Sequence, residues 1–182
     1  KEGVIEGYGS QRVQSVTHKR EILFVKPDYW IVLDTLTPYD ENEHSYESPF
    51  HLEAEAVDSE SKAVITKNSE DSNLKIIPAE LDGLDVEVIM GQNEPYVQGW
   101  VREGNYGVRP IPTPTYRLKK KGIAYLGYVF YPIPEGGECL VESVVIRNAD
   151  TDKKVEIEVA FQNGEKHTWR TGRRENALVI LN

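Results

Sequence analysis

The sequence is poor in cysteine, in basic charge and in long apolar runs, and no window of it is patterned as a helix. A single cysteine, Cys139, excludes an internal disulfide, and no ligand-type neighbours around it suggest a metal site. In the run Gly136-Gly137-Glu138-Cys139-Leu140-Val141 it reads as a small apolar residue at a strand edge. It lacks the histidine partner and electropositive setting of a nucleophile. The 21 Lys plus Arg against 30 Asp plus Glu leave a net charge of -9. That excess excludes a nucleic-acid partner, which needs a basic footprint. It also opposes tight autonomous binding of a polyanion, although not a local basic groove. Apolar runs such as Ile22-Leu23-Phe24-Val25 have strand length, so no membrane span is expected and nothing reads as a signal peptide. Ser-His-Asp spacing, a phosphate loop and a nucleotide fingerprint are all missing.

What is present is strand periodicity. Val155, Ile157, Val159 and Phe161 alternate with Glu156, Glu158, Ala160 and Gln162, the period-two mark of a strand with one buried face. Asn163-Gly164 then signals a turn, and Lys166 to Thr171 reads as the return strand. A two-residue turn would set Trp169 opposite Glu158. A three-residue loop with a glycine bulge is preferred, because it sets Trp169 on the apolar face, opposite Val159. Val13 to Val25 is a long strand ending at the turn Lys26-Pro27-Asp28. Tyr29 to Leu36, bulky on both faces, suits a central strand. Further strands are expected at His44 to Leu52, Ala63 to Thr66, Leu74 to Ile77, Val86 to Met90, Ile123 to Tyr131, Ser143 to Asn148 and Ala177 to Leu181. The run Lys119-Lys120-Lys121 before Gly122 reads as a solvated hairpin tip. Many short strands separated by turns predict an all-β fold, a two-sheet antiparallel β-sandwich of jelly-roll or super-sandwich type, in one domain over 1–182.

The segment from Gly104 to Thr115, with Pro110, Pro112 and Pro114, is expected to be an extended loop, since prolines supply no ladder donors. Long loops on rigid sandwiches often carry function, and Trp100, Tyr106 and Arg109 in or beside this one are the carbohydrate-binding candidates. Of the histidines, His44 and His51 lie an odd number of residues apart on one predicted strand. They point to opposite faces and cannot chelate together. Asp34 with His51 and a third ligand would make a metal site. The plainer account has Asp34 capping a turn and His51 hydrogen-bonded in a strand, and no metal ligand is assigned. Tyr125, Tyr128 and Tyr131 are expected to pack rather than react, and no catalytic residue is assigned.

The segment from His18 to Asp34, with Phe24-Val25-Lys26-Pro27-Asp28-Tyr29-Trp30 at its heart, resembles the heparinase II/III-like polysaccharide lyases. His44-Ser45-Tyr46-Glu47, Phe50-His51-Leu52, Asn73-Leu74, Ile77-Pro78, Gly91-Gln92 and Gln98-Gly99-Trp100 follow in the same order, so residues 8–135 carry the resemblance. It implies the C-terminal β-sandwich of an enzyme that cleaves uronate-containing polysaccharide by β-elimination, with an upstream α/α toroid as catalytic partner. The family's His-x-His segment and toroid are missing here, so the resemblance transfers no catalytic residue and no metal ligand. It implies no cofactor in this chain, and room for a divalent metal such as zinc in the full-length enzyme. It also implies a bacterial, periplasmic or secreted setting. Beginning with Lys1, the chain reads as a piece of a longer protein, inactive alone and supporting the substrate cleft. A free-standing carbohydrate-binding or lectin-like module stands as the alternative.

Overall fold

The computed structural model of the chain describes residues 15–69, 71–147, 155–171 and, for the backbone alone, 177–181. The first strands are β1 (Val16–Val25), β2 (Tyr29–Pro38), β3 (Glu43–Pro49), β4 (Val57–Glu60) and β5 (Ala63–Thr66). Next come β6 (Asn73–Pro78), β7 (Asp85–Ile89), β8 (Trp100–Glu103), β9 (Gly107–Pro110) and β10 (Thr113–Lys121). The last are β11 (Ala124–Ile133), β12 (Val141–Arg147), β13 (Glu156–Phe161), β14 (Lys166–Arg170) and β15 (Ala177–Leu181). All strand pairs are antiparallel. The expected ends at Val13 and Asn148 lie outside the described residues.

A six-stranded sheet, ordered β1-β2-β11-β6-β5-β4, forms the middle layer. The three-stranded sheet β3-β10-β7 covers one of its faces and the four-stranded sheet β12-β13-β14-β15 the other. Alternation decides which side chain goes where. Along β2 and β11, Tyr29, Ile31, Leu33 and Val129 join Val144, Ile157, Val159 and Trp169 in one core. Val32, Leu36, Leu126 and Tyr128, the intervening positions, join Tyr46, Tyr116 and Leu118 in the second core. Two sheets enclose each core, as in a sandwich, and the middle sheet is shared. This is why β2 is bulky on both faces, as expected of a central strand. Tyr125, Gly127, Val129 and Tyr131 share the first-core face of β11.

The hairpin β13–β14 has the bulged loop expected for it. Phe161 N–H donates to the Glu165 carbonyl and Gly164 N–H to the Phe161 carbonyl, which encloses Gln162, Asn163 and Gly164. Gly164, with φ +87°, takes the left-handed position such a loop requires. Trp169 is buried on the apolar face, but its partner is Ile157 and not Val159, because the loop begins one residue earlier than expected. Glu156 and Glu158 occupy the outer face, where they pair with Arg170, and with Arg147 and Lys166.

Three expectations need correction. The proline-rich stretch is not a loop: β9 pairs with β8, and Pro114 lies inside β10. Pro112 and Pro114 direct their carbonyls at Leu52 N–H and Phe50 N–H, just beyond the end of β3, so a missing amide donor breaks no ladder. Lys119, Lys120 and Lys121 are not a hairpin tip. They pair with Ser45, His44 and Glu43, and Gly122 then carries the chain from β10 into the middle sheet. His51 lies beyond β3, so His44 and His51 do not share a strand. No helix long and apolar enough to cross a membrane occurs among the described residues.

Candidate functional site

The turn Lys26-Pro27-Asp28 sets Val25 opposite Tyr29 and therefore Arg20 opposite Asp34. Asp34 is only 2% exposed, on the second-core face of β2. A carboxylate there must be paired. Arg20 donates to it through Nε and Nη2, both at 2.6 Å, and His18 Nε2 lies 2.9 Å from Oδ1. This hydrogen bond to Asp34 also raises the Arg20 pKa further, so the guanidinium stays charged. The guanidinium carbon stands 5.6 Å from the centre of the Phe50 ring, which meets Tyr116, Tyr128 and Phe130 edge-on. Asp34 thus anchors Arg20 and His18 at the mouth of the second core, rather than capping a turn.

On the same face of β1, toward the turn, Ile22 and Phe24 lie 63% and 39% exposed. Phe24 stacks on Trp30, its partner in β2, with ring centres 4.3 Å apart and planes 8° from parallel. Lys26 Nζ stands 5.8 Å from the Phe24 centroid. Edge strand β1 therefore presents a continuous row of His18, Arg20, Ile22 and Phe24, ending at Lys26. Lys19 and Glu21, paired with each other, point to the opposite face.

The residues chosen from the sequence for carbohydrate binding are close in the chain but do not converge. β8 and β9 form a two-stranded ribbon with Trp100 opposite Pro110 and Val101 opposite Arg109, so Trp100 and Arg109 project from opposite faces. The Trp100 ring packs at Gly91 and its Nε1–H donates to the Gln92 carbonyl at 2.9 Å, which makes it a hairpin-packing residue. Arg109 is bonded to Glu53 and approaches Glu103 at 3.8 Å. Tyr106, in the turn between the strands, is fully exposed.

Three of the histidines are held by carboxylates. His18 is bonded to Asp34, and His44 lies 2.9 Å from Asp40. His167 is buried between Glu165, at 2.8 Å, and the Tyr29 hydroxyl. That last bond ties the four-stranded sheet to the middle one, and burial drives the Tyr29 phenol pKa well above its ordinary value. Burial likewise raises Tyr116 and Tyr128 far beyond phenolate formation near neutrality. Tyr125 and Tyr131 pack against the first core, and Tyr128 belongs to the second. Cys139 also packs against the first core, half-buried, and burial raises its thiol. Asp34, committed to Arg20 and His18, is not available to a cation. No cluster of three His, Cys, Asp or Glu side chains able to hold a metal occurs among the described residues. The donor set of the described residues does not fit a divalent metal, and the resemblance leaves room for one only in the full-length enzyme.

The sequence reading missed the Asp34–Arg20–His18 cluster and the Phe24–Trp30 pair. The signal was present: centring the hairpin on Lys26-Pro27-Asp28 brings both pairs into register. His167 carried no such signal, because Tyr29 lies in another sheet.

The fold is shared with solved structures of larger proteins. A heparan sulfate lyase, HepC, from Pedobacter heparinus superposes with a TM-score of 0.66 at 17% identity over 93% of this chain. A heparinase III structure superposes with a TM-score of 0.68 at 18% identity over 88% of this chain. In both cases the match covers 24% of the other chain, so the present chain spans about a quarter of their length. No curated protein sequence matches it. The sequence model described as heparinase II/III-like, C-terminal, matches residues 1–115, and the chain belongs to that family.

Proposed function

We propose that this chain is the β-sandwich domain of a heparinase II/III-like polysaccharide lyase and forms one wall of the sugar cleft without performing the chemistry. In the full-length enzyme an upstream α/α toroid supplies the base that removes the proton beside a uronate carboxylate. It also supplies the acid that protonates the departing glycosidic oxygen. The observation that carries this reading is family membership combined with a span of only 24% of the related lyases.

The state of the ionisable groups supports the non-catalytic part. A base for β-elimination needs an accessible group with a suitable pKa. The phenols of Tyr29, Tyr116 and Tyr128 are buried and hard to ionise, and the buried carboxylate of Asp34 is committed to Arg20 and His18. The setting proposed rests on the family resemblance: bacterial degradation of an extracellular polymer, in the periplasm or outside the cell.

Incubation of this chain with heparan sulfate or alginate is expected to give no rise in the ultraviolet absorbance of unsaturated uronate. A rise would overturn the non-catalytic assignment. The chain joined to its toroid is expected to produce that absorbance on a uronate polymer. Failure on every such polymer would overturn the lyase assignment itself.

A further inference from the structure

We propose that the row His18–Arg20–Ile22–Phe24 on edge strand β1, continued by Lys26 in the turn, is a binding strip for an acidic polysaccharide chain. The inference rests on the lyase reading for the class of polymer, and on geometry for the place.

Three features converge on this strip. It is long enough: at about 3.4 Å per strand residue, His18 to Phe24 spans about 20 Å, room for several sugar units. It is apolar where a sugar ring needs apolar contact, since Ile22 and Phe24 are exposed side by side on one face and Trp30 supports Phe24 from the next strand. Stacking also costs little entropy, because the Phe24–Trp30 pair is already ordered.

Its charge matches the polymer. The cations Arg20 and Lys26 flank the apolar segment. The facing acid is Asp34, which is buried and directed at Arg20 and His18. Among the described residues of this hairpin, Asp28 shares the turn with Lys26, while Glu21 projects from the far face and is paired with Lys19. Among the described residues Nη1 of Arg20 has no protein partner, since Nε and Nη2 serve Asp34. Asp34 thus fixes the guanidinium plane while Arg20 keeps donors for a uronate carboxylate or a sulfate. Lys26 offers a second cation beyond the aromatic pair. The rest of a chain with net charge -9 repels polyanions, so binding concentrates on this strip and is weak and salt-sensitive.

The test is titration of the 182-residue chain with size-defined heparan sulfate oligosaccharides by calorimetry at low salt, with a neutral glucan oligosaccharide as control. Phe24→Ala and Lys26→Glu are each expected to raise Kd about ten-fold or more. Tyr106→Ala, at the tip of the β8–β9 ribbon, is expected to leave Kd unchanged. Thermal unfolding of each variant checks that the fold is intact, and Ile22→Asp serves as a further strip variant should Phe24→Ala unfold. Binding that survives the strip variants but is lost with Tyr106→Ala or Arg109→Ala would overturn the strip while leaving the lyase reading in place. Absence of any binding by the unmodified chain would overturn the strip as well. The elimination assay on the toroid-linked protein decides the lyase reading separately.

Discussion

Replacing Asp34 with asparagine is the perturbation whose cost the structure defines best. The side chain keeps its size, but the charge that holds Arg20 through two hydrogen bonds of 2.6 Å and His18 at 2.9 Å is removed. Removing one partner of a fully buried ion pair costs about 3–5 kcal/mol. Here the side chains of Arg20 and His18 are 40% and 29% exposed and regain some water, which brings the expected loss to about 2–3 kcal/mol. In a domain of this size that corresponds to a fall in Tm of about 5–10 °C. Arg20→Ala should cost at least as much, because the residue left behind is then the buried carboxylate itself. Urea unfolding of the two single variants and the double variant measures both costs and their coupling. A loss below about 1 kcal/mol for Asp34→Asn, or strictly additive costs in the double variant, would refute the anchoring role given to this pair.

Three further outcomes follow from the two cores and their turns. Stability should fall as pH climbs above about 10. Burial raises the phenols of Tyr29, Tyr116 and Tyr128 above their unfolded value, so their contribution is whole below that pH and is lost above it, at about 1.4 kcal/mol per unit for each phenol. Tyr29→Phe should show a shallower alkaline decline in urea midpoints, and an unchanged slope would contradict the burial of that phenol. Trp169→Ala empties the centre of the first core and should cost about 3–5 kcal/mol in denaturant unfolding, whereas a loss under about 1 kcal/mol would mean the indole is not packed there. Gly99→Ala should be far more damaging than Gly164→Ala, although both glycines have positive φ. A Cβ at Gly99 would lie 2.9 Å from Met90 Cα and Gly91 N, while one at Gly164 meets nothing within 4 Å. Equal falls in Tm for the two variants would contradict that close approach.

The sequence by itself determined the class of fold and much of its local detail. Alternation of apolar and polar residues is a property of neighbouring positions, and so are turn residues. The strands at Ala63–Thr66 and Ala177–Leu181, and the glycine-bulged loop after Phe161, could therefore be read directly. Lineage was legible too, in the ordered motifs from His18 to Trp100. What the tertiary structure decided was every matter of which strand lies beside or above which. β10 and β11 are joined by a single turn yet belong to different sheets, so the lysines before Gly122 could not be placed from their neighbours. Prolines at 112 and 114 deny amide donors, but whether a strand needs those donors depends on where its partner ends. The candidate site divides in the same way. Trp100 and Arg109 are near in sequence and project apart, because a two-stranded ribbon sends alternate residues to opposite faces. His18, Arg20, Ile22 and Phe24 share a face by the same rule, but only the layer arrangement shows that the three-stranded sheet leaves Ile22 and Phe24 uncovered. Local chemistry is written in the order of residues, whereas exposure is set by what packs on top.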